Sequence, residues 1–591
     1  MDSSPSHPRR RTRKLVLIFL ASFLLRAFIA VLVITNETRP KFDEGSYFRR
    51  AVALTSILGD LARSQPPQAR DKDAFYAHGL WPPFQPIVLA AVMLPFSRSV
   101  AAARILMVLL SSLTTVLVFL VTDKLAGPKA GWAASFLHLG YPSFLAFSHY
   151  LWSETTYILL LFLALYLALR IPECAPGPRR IRLVILLGLS LGVLALTRSA
   201  ALLPVLIIPG WILLRSKGTR AKILSPILIV VTMLVTISPW EYALFRREHR
   251  FVLISNFNFR NLYQGQFAPQ ESDEDSAETP AEGQPARALR DYQRERSIPP
   301  EVAAKELAIK EIKARPGAFL ARGIEKFLTL WTFDFFPLRH AVNVVYPPMS
   351  DAAVLLLVLV LVVSPLFLYV LVLKGLLVKD ARFKDKALIL ALILGGALPY
   401  VLAYGHSRYN LPQIALLLPV AGFGLANFRE RTKAFFPLAG LLVLGFAILV
   451  FRSYPGHIRP TLRPSSLYIG SVGALDRVFR AQSSFRDEFI IRSPEPQSAD
   501  TLTLTIVNDG ADDYSFDPRE PMIQIVIDRA PNKAVQRFSV YGRRPRRPIE
   551  LRIFSEKWSQ AVQVKPVSRS YWNRFQETGL NGLELNWRGG W

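Results

Sequence analysis

Long apolar runs alternate with short basic segments along about the first 450 residues of the chain. A helix needs roughly 20 apolar residues to cross a bilayer, and the first such run is LVLIFLASFLLRAFIAVLVIT. It follows the basic segment RRRTRK and exceeds the roughly 7–15 apolar residues of a signal peptide, which predicts an uncleaved span with a cytoplasmic N-terminus. The other runs are 104–124, 130–148, 154–170, 182–197, 200–215, 221–240, 352–373, 387–404, 411–427 and 434–451. The pattern predicts a polytopic α-helical membrane protein with about 11 spans.

One further apolar stretch, 83–97, is short and is bounded by prolines, which remove backbone hydrogen-bond donors. Cytoplasmic loops carry an excess of Lys and Arg. If 83–97 does not cross, the basic loops are all cytoplasmic, whereas a crossing would place all of them outside. These loops are 124–130, 170–182, 215–222, 374–386 and 429–433. We therefore predict that 83–97 is a juxtamembrane or re-entrant helix at the outer face.

This topology divides the chain into membrane modules and external segments. They are the basic N-terminus 1–14, the first module 15–240 with its external loop 36–103, the loop 241–351, the last spans 352–451 and the external region 452–591. Within 241–351, the acidic segment 268–297 predicts a flexible insert, and the apolar spacing over 299–331 predicts interfacial helices. After 452, the alternating stretches TLTLTIVND, MIQIVID and IELRIF predict a small β-sandwich-like extracytoplasmic domain.

Composition supports a membrane protein over a soluble one. Of the 591 residues, 51% are apolar and only 19% are charged, and mean hydropathy is +0.27. The net charge of +27 is explained by basic loops that orient the spans, so nucleic acid is not an expected partner. A single cysteine, Cys174, excludes an intramolecular disulfide. The chain also has no Gly-rich phosphate loop and no CxxC or HExxH motif, which argues against a nucleotide triphosphatase or a zinc protease.

Acidic residues gather at the predicted outer face, where polar groups beside lipid are costly and therefore point to function. Asp43 and Glu44 follow the first span, and neighbouring carboxylates are suited to acid/base chemistry. The alternative is an ordinary helix start or N-cap. Glu154 begins the span 154–170, where an acid also favours a helix N-terminus for electrostatic reasons.

Basic residues are predicted on the same face as these acids. Arg198 lies in one outer turn, and His406, Arg408 and Tyr409 lie in another. Because guanidinium groups match phosphate oxygens, the arginines predict an anion site, with snorkelling at the interface as the alternative. Arg26 differs because it falls near the middle of the first span, where it must be paired inside the bundle or reach a polar cavity. A structural role is favoured over a catalytic one.

Six stretches resemble, in order, the GT-C membrane glycosyltransferases, and in particular glycosyltransferase family 39 with its protein mannosyltransferase, aminoarabinose transferase and rhizobial galacturonosyltransferase relatives. FDEGSYFRRA resembles the D-E-x-x-Y-x-x-x-A opening, HGLWPPFQPIVLAAVM the juxtamembrane segment, and AARILMVLLSSLTTVLVFLV the next span. YPSFLAFSHYLWSETTYILLLFLALYLALR, LTRSAALLP and HSRYNLPQIALLLP resemble later stretches. The resemblance covers about 1–450. Trp81 departs from relatives that have Lys or Glu there, which puts part of the phosphate site in doubt.

The resemblance implies transfer of a sugar from a polyprenyl-phosphate carrier to an extracytoplasmic acceptor hydroxyl, with inversion at the anomeric carbon. Asp43 would be the base, and Glu44 and Glu154 would position the acceptor or the base. The implied donor-phosphate ligands are Arg408, His406 and Arg198, and the further candidates are Tyr47, Tyr409 and Arg104. No metal ligand is predicted, and dependence on a divalent metal stays open.

The expected partners are the lipid-linked sugar donor, membrane lipid, and an acceptor that is a lipid, a protein or an envelope glycan. The expected location is the bacterial inner membrane, with the site and the C-terminal domain outside. The alternatives are a transporter or flippase of lipid-linked sugars, a non-catalytic membrane scaffold, and an O-antigen ligase or polymerase. Polar groups at one face, rather than at mid-membrane as in transporters, favour an enzyme.

Overall fold

The computed structural model describes most of the chain up to Ser453 and the strands that follow it. The described residues are 8–34, 40, 42–76, 81–216, 218–255, 257–266, 284–334, 336–338, 351–378, 385–403, 405, 407–430 and 432–453, together with the backbone of strands between Ser484 and Gly589. These residues divide into two compact units, each described here by itself. One unit contains the helices, except for the first turns of the helix Asp351–Leu377, which precede Leu359. The other unit contains the strands, which lie after Arg452.

The described chain before Ser453 is helical, as its apolar runs predict. The first helices are α1 (Pro8–Ile34), α2 (Phe42–Ala62), α3 (Ala69–Tyr76), α4 (Phe84–Met93), α5 (Val100–Ala126), α6 (Pro128–Gly140), α7 (Pro142–Phe147), α8 (Ser153–Arg170), α9 (Pro178–Ala195), α10 (Pro204–Arg215) and α11 (Thr219–Glu248). They are followed by α12 (Phe257–Gln264), α13 (Gln284–Arg296), α14 (Pro300–Ala314), α15 (Pro316–Leu330), α16 (Asp351–Leu377), α17 (Lys386–Leu402), α18 (Leu411–Ala426) and α19 (Phe435–Ser453). Short 3-10 turns, Ser199–Leu202 and Ser407–Asn410, precede α10 and α18.

Among the described residues, seven helices are long and apolar enough to cross a membrane. They are Thr12–Leu32, Val100–Ala126, Ser153–Arg170, Thr219–Glu248, Leu355–Leu377, Ser407–Ala426 and Phe435–Arg452, and each lies on a predicted span. The other predicted spans lie on helices that are shorter, more charged or interrupted: α6 with α7, α9, α10 and α17. The chain is therefore a mostly helical membrane protein, and the count of eleven spans stays a prediction.

The stretch 83–97 begins and ends near the same end of the helical bundle. Gln85, at the start of α4, donates a hydrogen bond to the carbonyl of Leu151 at 3.0 Å. Arg104, in the first turns of α5, donates to the carbonyl of His149 at 2.9 Å. Because α4 and α5 both begin beside the same turn, the chain enters and returns without crossing the bundle. A helix of ten residues is also only about half as long as the hydrocarbon layer is thick.

The basic loops lie together at the opposite end of the bundle, which we call the basic end. Lys124 pairs with Glu173, which joins the loops 124–130 and 170–182. The next loops are joined through Arg180 with Ser216 at 2.9 Å, Arg215 with Asp385 at 3.3 Å, and Lys374 with Thr432 at 2.7 Å. The predicted grouping of these loops at one end agrees with the structure. The end at which α5, α8 and α18 begin is called the site end.

The described part of the segment 241–351, which is predicted to be external, contains more helix than its sequence indicates. Within the predicted flexible insert 268–297, the described residues Gln284–Arg296 form α13, and flexibility of the insert stays a prediction. Leu289 of this helix is buried in a small core with Tyr263 and Ala304. Alanine, glutamine and arginine favour helix, and burial of one leucine face supplies the tertiary support that composition does not reveal.

Two helices occupy the segment predicted to lie along the interface. They are α14 and α15, which meet at Arg315. One face of α15 exposes Leu320, Ile324 and Phe327, whereas Lys326 on the other face is buried. The helices are confirmed, and their position at a membrane surface stays a prediction.

The residues after Arg452 contain two antiparallel sheets. The strands are β1 (Ser484–Arg492), β2 (Thr503–Val507), β3 (Ile523–Asp528), β4 (Val535–Arg543), β5 (Ile549–Ser555), β6 (Gln563–Ser568), β7 (Arg574–Glu577) and β8 (Leu583–Gly589). Their orders are β3-β4-β1-β6 and β2-β5-β8-β7. The alternating stretches named above contain β2, β3 and β5. Packing of the two sheets into a sandwich stays a prediction.

Candidate functional site

Three carboxylates at the site end each contact an arginine. The pairs are Asp43 with Arg408 at 2.7 Å, Glu154 with Arg198 at 2.6 Å, and Glu44 with Arg104 at 3.3 Å. Each pair joins different elements, because the acids begin α2 and α8, whereas Arg104 lies in α5 and the other two arginines lie beside α9 and α18. The fold therefore brings together all three predicted catalytic acids and two of the three predicted phosphate ligands.

Asp43 and Arg408 form the most accessible of these pairs. The Asp43 side chain is 29% exposed, although that of Arg408 is only 6% exposed. The guanidinium carbon lies 4.6 Å from the ring centre of Trp152, 5.3 Å from that of Phe336 and 5.0 Å from that of Tyr409. Aromatic faces stabilise a cation without neutralising it. Arg408 is therefore held in place while one of its donors contacts a carboxylate that solvent can reach.

Glu154 and Arg198 form a buried pair next to the first. Glu154 is in the first turn of α8, and its side chain is 3% exposed. Arg198 follows α9 and also donates to the hydroxyl of Ser153 at 3.0 Å and that of Tyr400 at 3.5 Å. An arginine with one acid and two neutral hydroxyls keeps a fixed orientation, which suits a second cation beside Arg408.

Two predicted tyrosines line the same region. The hydroxyl of Tyr47 donates to that of Ser153 at 3.2 Å, and its ring lies 5.6 Å from that of Trp81. Burial raises the pKa of Tyr47, so this residue is a neutral donor at ordinary pH. Tyr409 stacks on Tyr400 with ring centres 4.7 Å apart. Both tyrosines therefore help to shape the surroundings of the two arginines.

Glu44 and Arg104 face a backbone turn. The carboxylate accepts a hydrogen bond from the N–H of Leu151 at 2.8 Å as well as from Arg104. Arg104 in turn donates to the carbonyl of His149 at 2.9 Å. Both side chains are buried. Glu44 and its sequence neighbour Asp43 therefore have different surroundings, although both were predicted as catalytic.

Asp334 is a further acid at the site end that sequence reasoning missed. It follows α15, is buried, and accepts a hydrogen bond from the N–H of Phe336 at 3.2 Å. Burial raises the pKa of Asp334 to about 6, and the Phe336 N–H and the charge of Arg408 only partly oppose this. The signal was a lone acid within the aromatic segment WTFDFF. Phe336, whose N–H Asp334 accepts, also has its ring centre 5.3 Å from the guanidinium carbon of Arg408, so Asp334 lies near the Asp43–Arg408 pair.

Two other predicted residues lie away from these pairs or outside the described chain. His406 lies outside the described residues, so its role stays a prediction. Arg26 is buried between α1, α5 and α6, where it donates to Ser111 at 2.8 Å, to Ser22 at 2.6 Å and to the carbonyl of His138 at 3.1 Å. The predicted pairing of Arg26 inside the bundle is confirmed.

The described residues contain no group of three or more His, Cys, Asp or Glu side chains that could hold a metal ion. The three acids of the site are instead each directed at an arginine.

Comparisons with known proteins connect part of this site to a family. Residues 81–242 match the family described as dolichyl-phosphate-mannose-protein mannosyltransferase. This segment contains Arg104, Glu154 and Arg198, whereas Asp43 and Arg408 lie outside it. No curated protein matches the chain.

Solved structures of membrane glycosyltransferases also resemble the chain. One is the Archaeoglobus fulgidus oligosaccharyltransferase in complex with zinc and sulfate, at 16% identity and a TM-score of 0.40, with 76% of this chain and 52% of that chain covered. The archaeal oligosaccharyltransferase AglB in complex with an inhibitory peptide and a dolichol-phosphate has 13% identity and a TM-score of 0.41, covering 74% and 55%. ArnT from Cupriavidus metallidurans bound to undecaprenyl phosphate has 16% identity and a TM-score of 0.32, covering 89% and 97%.

The chain thus spans about half the length of the archaeal structures that it resembles. The family match covers α4, α5 and α8 together with the segment 196–204, which are stretches where the sequence itself suggested the family. The resemblance to the GT-C membrane glycosyltransferases is therefore confirmed, through the mannosyltransferase family that residues 81–242 match.

Proposed function

We propose that this protein transfers a sugar from a polyprenyl-phosphate donor to the hydroxyl of an extracytoplasmic acceptor, with inversion at the anomeric carbon. The observation that carries the proposal is the Asp43–Arg408 pair, in which a partly exposed carboxylate and a buried arginine are 2.7 Å apart. Once a donor phosphate separates the two side chains, the carboxylate can accept a proton and the guanidinium can bind phosphate oxygens. The matched family, whose description names a dolichyl-phosphate sugar donor, supports the same donor class.

The proposed reaction uses Asp43 as general base. Its carboxylate takes the proton from the acceptor hydroxyl while the acceptor oxygen attacks the anomeric carbon. The bond from that carbon to the phosphate oxygen breaks, and its electron pair leaves with the polyprenyl phosphate. Attack from the side opposite the leaving group inverts the configuration.

Arg408 and Arg198 are proposed to stabilise the departing phosphate. Negative charge develops on the phosphate oxygens as the bond breaks, and fixed cations are most effective where charge develops. Glu154 holds Arg198 in orientation through their 2.6 Å contact. Because Asp43 contacts Arg408 at 2.7 Å, binding of the donor phosphate to Arg408 would release the carboxylate for its role as base. His406 is proposed as a third ligand, and Tyr47 and Tyr409 as groups that line the site.

We further propose that the site end faces the outside of a bacterial inner membrane. The support is the shared position of the basic loops at the opposite end, because cytoplasmic loops are rich in Lys and Arg. Val100→Cys and Pro128→Cys in a Cys174→Ser background test this orientation with a membrane-impermeant thiol reagent on intact cells. Labelling of position 100 but not of position 128 is expected. Labelling of position 128 alone would reverse the orientation and remove the outer site.

Transfer can be tested with the purified protein in lipid nanodiscs. The substrates are synthetic undecaprenyl-phosphate sugars carrying mannose, aminoarabinose or galacturonic acid, and the acceptor is a bacterial envelope extract. Release of undecaprenyl phosphate from one of these donors is expected, together with an added sugar on an envelope molecule detected by mass spectrometry. The same analysis identifies the acceptor as lipid, protein or glycan.

Asp43→Asn is the decisive variant in this assay. It keeps the shape of the side chain and removes the base, so turnover should fall by roughly 100-fold or more. Asp73→Asn is a matched control, because Asp73 also pairs with an arginine, Arg247, but its side chain is 67% exposed. Turnover within a few-fold of wild type in Asp43→Asn would reassign Asp43 to the helix start. Translocation of a fluorescent donor across liposomes without turnover would favour a transporter.

A further inference from the structure

The turn between α7 and α8, residues 148–152, is held by side chains from three separate elements. Glu44 of α2 accepts a hydrogen bond from the N–H of Leu151 at 2.8 Å. Gln85 of α4 donates to the carbonyl of the same residue at 3.0 Å. Arg104 of α5 donates to the carbonyl of His149 at 2.9 Å. Backbone groups of a buried turn need partners, and here side chains from other helices supply them.

Gln85 uses both ends of its amide in this arrangement. While its nitrogen contacts Leu151, its oxygen accepts a hydrogen bond from the hydroxyl of Thr156 at 2.7 Å. Thr156 belongs to the first turns of α8, so one side chain connects the turn to the helix that follows it. Gln85 is completely buried, and a buried amide with both ends satisfied has a single orientation.

The start of α4 is also fixed to the other side of the site. The N–H of Phe84 donates to the carbonyl of Leu196 at 3.0 Å, two residues before Arg198. The short helix α4 is thus connected both to the turn that precedes α8 and to the end of α9. The helix α4 does not cross the bundle. It nevertheless fixes the distance between the turn before α8 and the end of α9, which both contribute to the site.

The turn is followed at once by residues of the proposed site. Trp152 provides a ring below the guanidinium of Arg408 at 4.6 Å. Ser153 accepts hydrogen bonds from both Tyr47 and Arg198, and the next residue is Glu154. A displacement of the turn would therefore move contacts of both arginines together.

We propose that Gln85 and the Glu44–Arg104 pair are positioning residues, which fix the α7–α8 turn and through it the two arginines. This inference rests on the proposed function for its effect on transfer. It gives Glu44 a different task from Asp43: Glu44 acts as a hydrogen-bond acceptor for a backbone N–H and a counter-charge for Arg104, and does not touch the acceptor. It also assigns a role to Gln85, which lies in α4 outside the ion pairs.

The first test concerns Gln85 and has a readout that does not depend on transfer. In Gln85→Leu the Leu151 carbonyl and the Thr156 hydroxyl lose their partner, so amide hydrogen exchange in the segment 148–156 should rise by roughly 10-fold or more, since the turn opens locally at lower cost. Turnover should fall by roughly 10- to 100-fold, because small misplacements of catalytic groups are costly. Gln65→Leu, a change at an exposed glutamine, is the matched control and should alter neither quantity.

The second test separates positioning from catalysis at Glu44. Arg104→Gln alone leaves the buried Glu44 carboxylate without its counter-charge and should lose more activity than the double variant Glu44→Gln with Arg104→Gln. In the double variant amide groups can still accept from Leu151 and donate to His149, so at least about one tenth of the activity should return. The pH profile of turnover should keep its acidic limb in the double variant, because Asp43 is untouched, and lose it in Asp43→Asn.

Three results would overturn the inference: unchanged exchange in Gln85→Leu, a double variant no more active than Arg104→Gln, or loss of the acidic limb when Glu44 is neutralised. Failure of the proposed function has a different signature. In that case the wild-type protein would not turn over any donor, whereas the exchange difference between Gln85→Leu and Gln65→Leu would still be measured and would still decide whether the turn is held as inferred.

Discussion

Arg26 and Arg408 are both buried arginines, but their surroundings differ in kind. Arg26 donates to hydroxyls of Ser22 and Ser111 and to the carbonyl of His138, all of them neutral acceptors. Arg408 contacts a carboxylate, that of Asp43, and lies against aromatic rings. The first is fixed between helices in the interior of the bundle, and the second is beside a carboxylate that solvent can reach.

This difference shows what each cation is able to do. Neutral acceptors around Arg26 accept from its donors in several directions, so the side chain connects α1, α5 and α6. A carboxylate can be exchanged for a phosphate because both are oxygen anions that match the donors of a guanidinium. A buried arginine therefore does not indicate function by itself. The groups that accept its hydrogen bonds distinguish Arg408 from Arg26.

The largest effect is expected at Arg408. Arg408→Ala should lower turnover of the undecaprenyl-phosphate sugar by roughly 100- to 1,000-fold, the cost of removing a donor that stabilises developing charge. Arg408→Lys should still lose about 10-fold, because an ammonium is a point charge and cannot replace the planar fork of a guanidinium. The measurement is turnover in nanodiscs.

Arg247→Lys is the matched control, since Arg247 also pairs with an acid, Asp73, and lies near an aromatic ring. It should retain wild-type turnover. Full activity in Arg408→Lys would mean that only a positive charge at the membrane surface is needed, and Arg408 would then be an anchor instead of a phosphate ligand.

A smaller effect of another kind is expected at Arg26. Arg26→Met removes hydrogen bonds between helices that are each worth about 1 kcal/mol in membrane proteins, so the thermal midpoint should fall while turnover per folded molecule stays within about twofold. Arg182→Met, at an exposed arginine of α9, controls for the loss of a positive charge. It should change neither the thermal midpoint nor the turnover. A large loss of turnover in a stable Arg26→Met protein would remove the contrast between the two arginines.

The smallest effect is a pH dependence of stability at Asp334. Because burial raises its pKa from 3.8 to about 6, the folded state binds a proton that the unfolded state releases between these values. Stability should therefore fall as the pH rises from about 4 to about 6 and stay level above that range. Asp334→Asn should remove this fall, measured as thermal midpoints at pH 4.5 and 7, whereas Asp73→Asn should keep it. If the thermal midpoint falls equally in the wild type and in Asp334→Asn, a group other than Asp334 is responsible for the pH dependence.

The helices could be predicted because their cause is local. A run such as 104–124 is apolar throughout, and a bilayer leaves helix as the structure that satisfies its backbone groups. The sequence also predicted, through the charges of the loops that follow, that 83–97 does not cross, and in the structure this stretch holds only the ten-residue helix α4. The helix Gln284–Arg296 could not be predicted, because its stability depends on burial of Leu289 against α14 and Tyr263, which a polar composition conceals.

The site residues were predicted as a set, but their pairing was not. Asp43 and Glu44 are neighbours in the sequence, yet one contacts Arg408 and the other contacts Arg104. On α2 successive residues point in directions about 100° apart, so the two carboxylates face different helices. Asp334 and Gln85 were missed because a single acid or amide in an apolar segment is only a weak signal, and its partners come from distant elements.

The sequence by itself determined that the chain crosses a membrane, that its basic loops share one end, and which acids and arginines lie at the other. These properties follow from hydrophobic length and from the charge of short segments, which act without long-range contacts. Only the tertiary structure decided which acid meets which arginine, that Arg26 is satisfied by neutral groups, and that α4 holds the turn before α8. Those contacts join residues up to 365 positions apart in the sequence, and such residues meet only when the whole bundle packs.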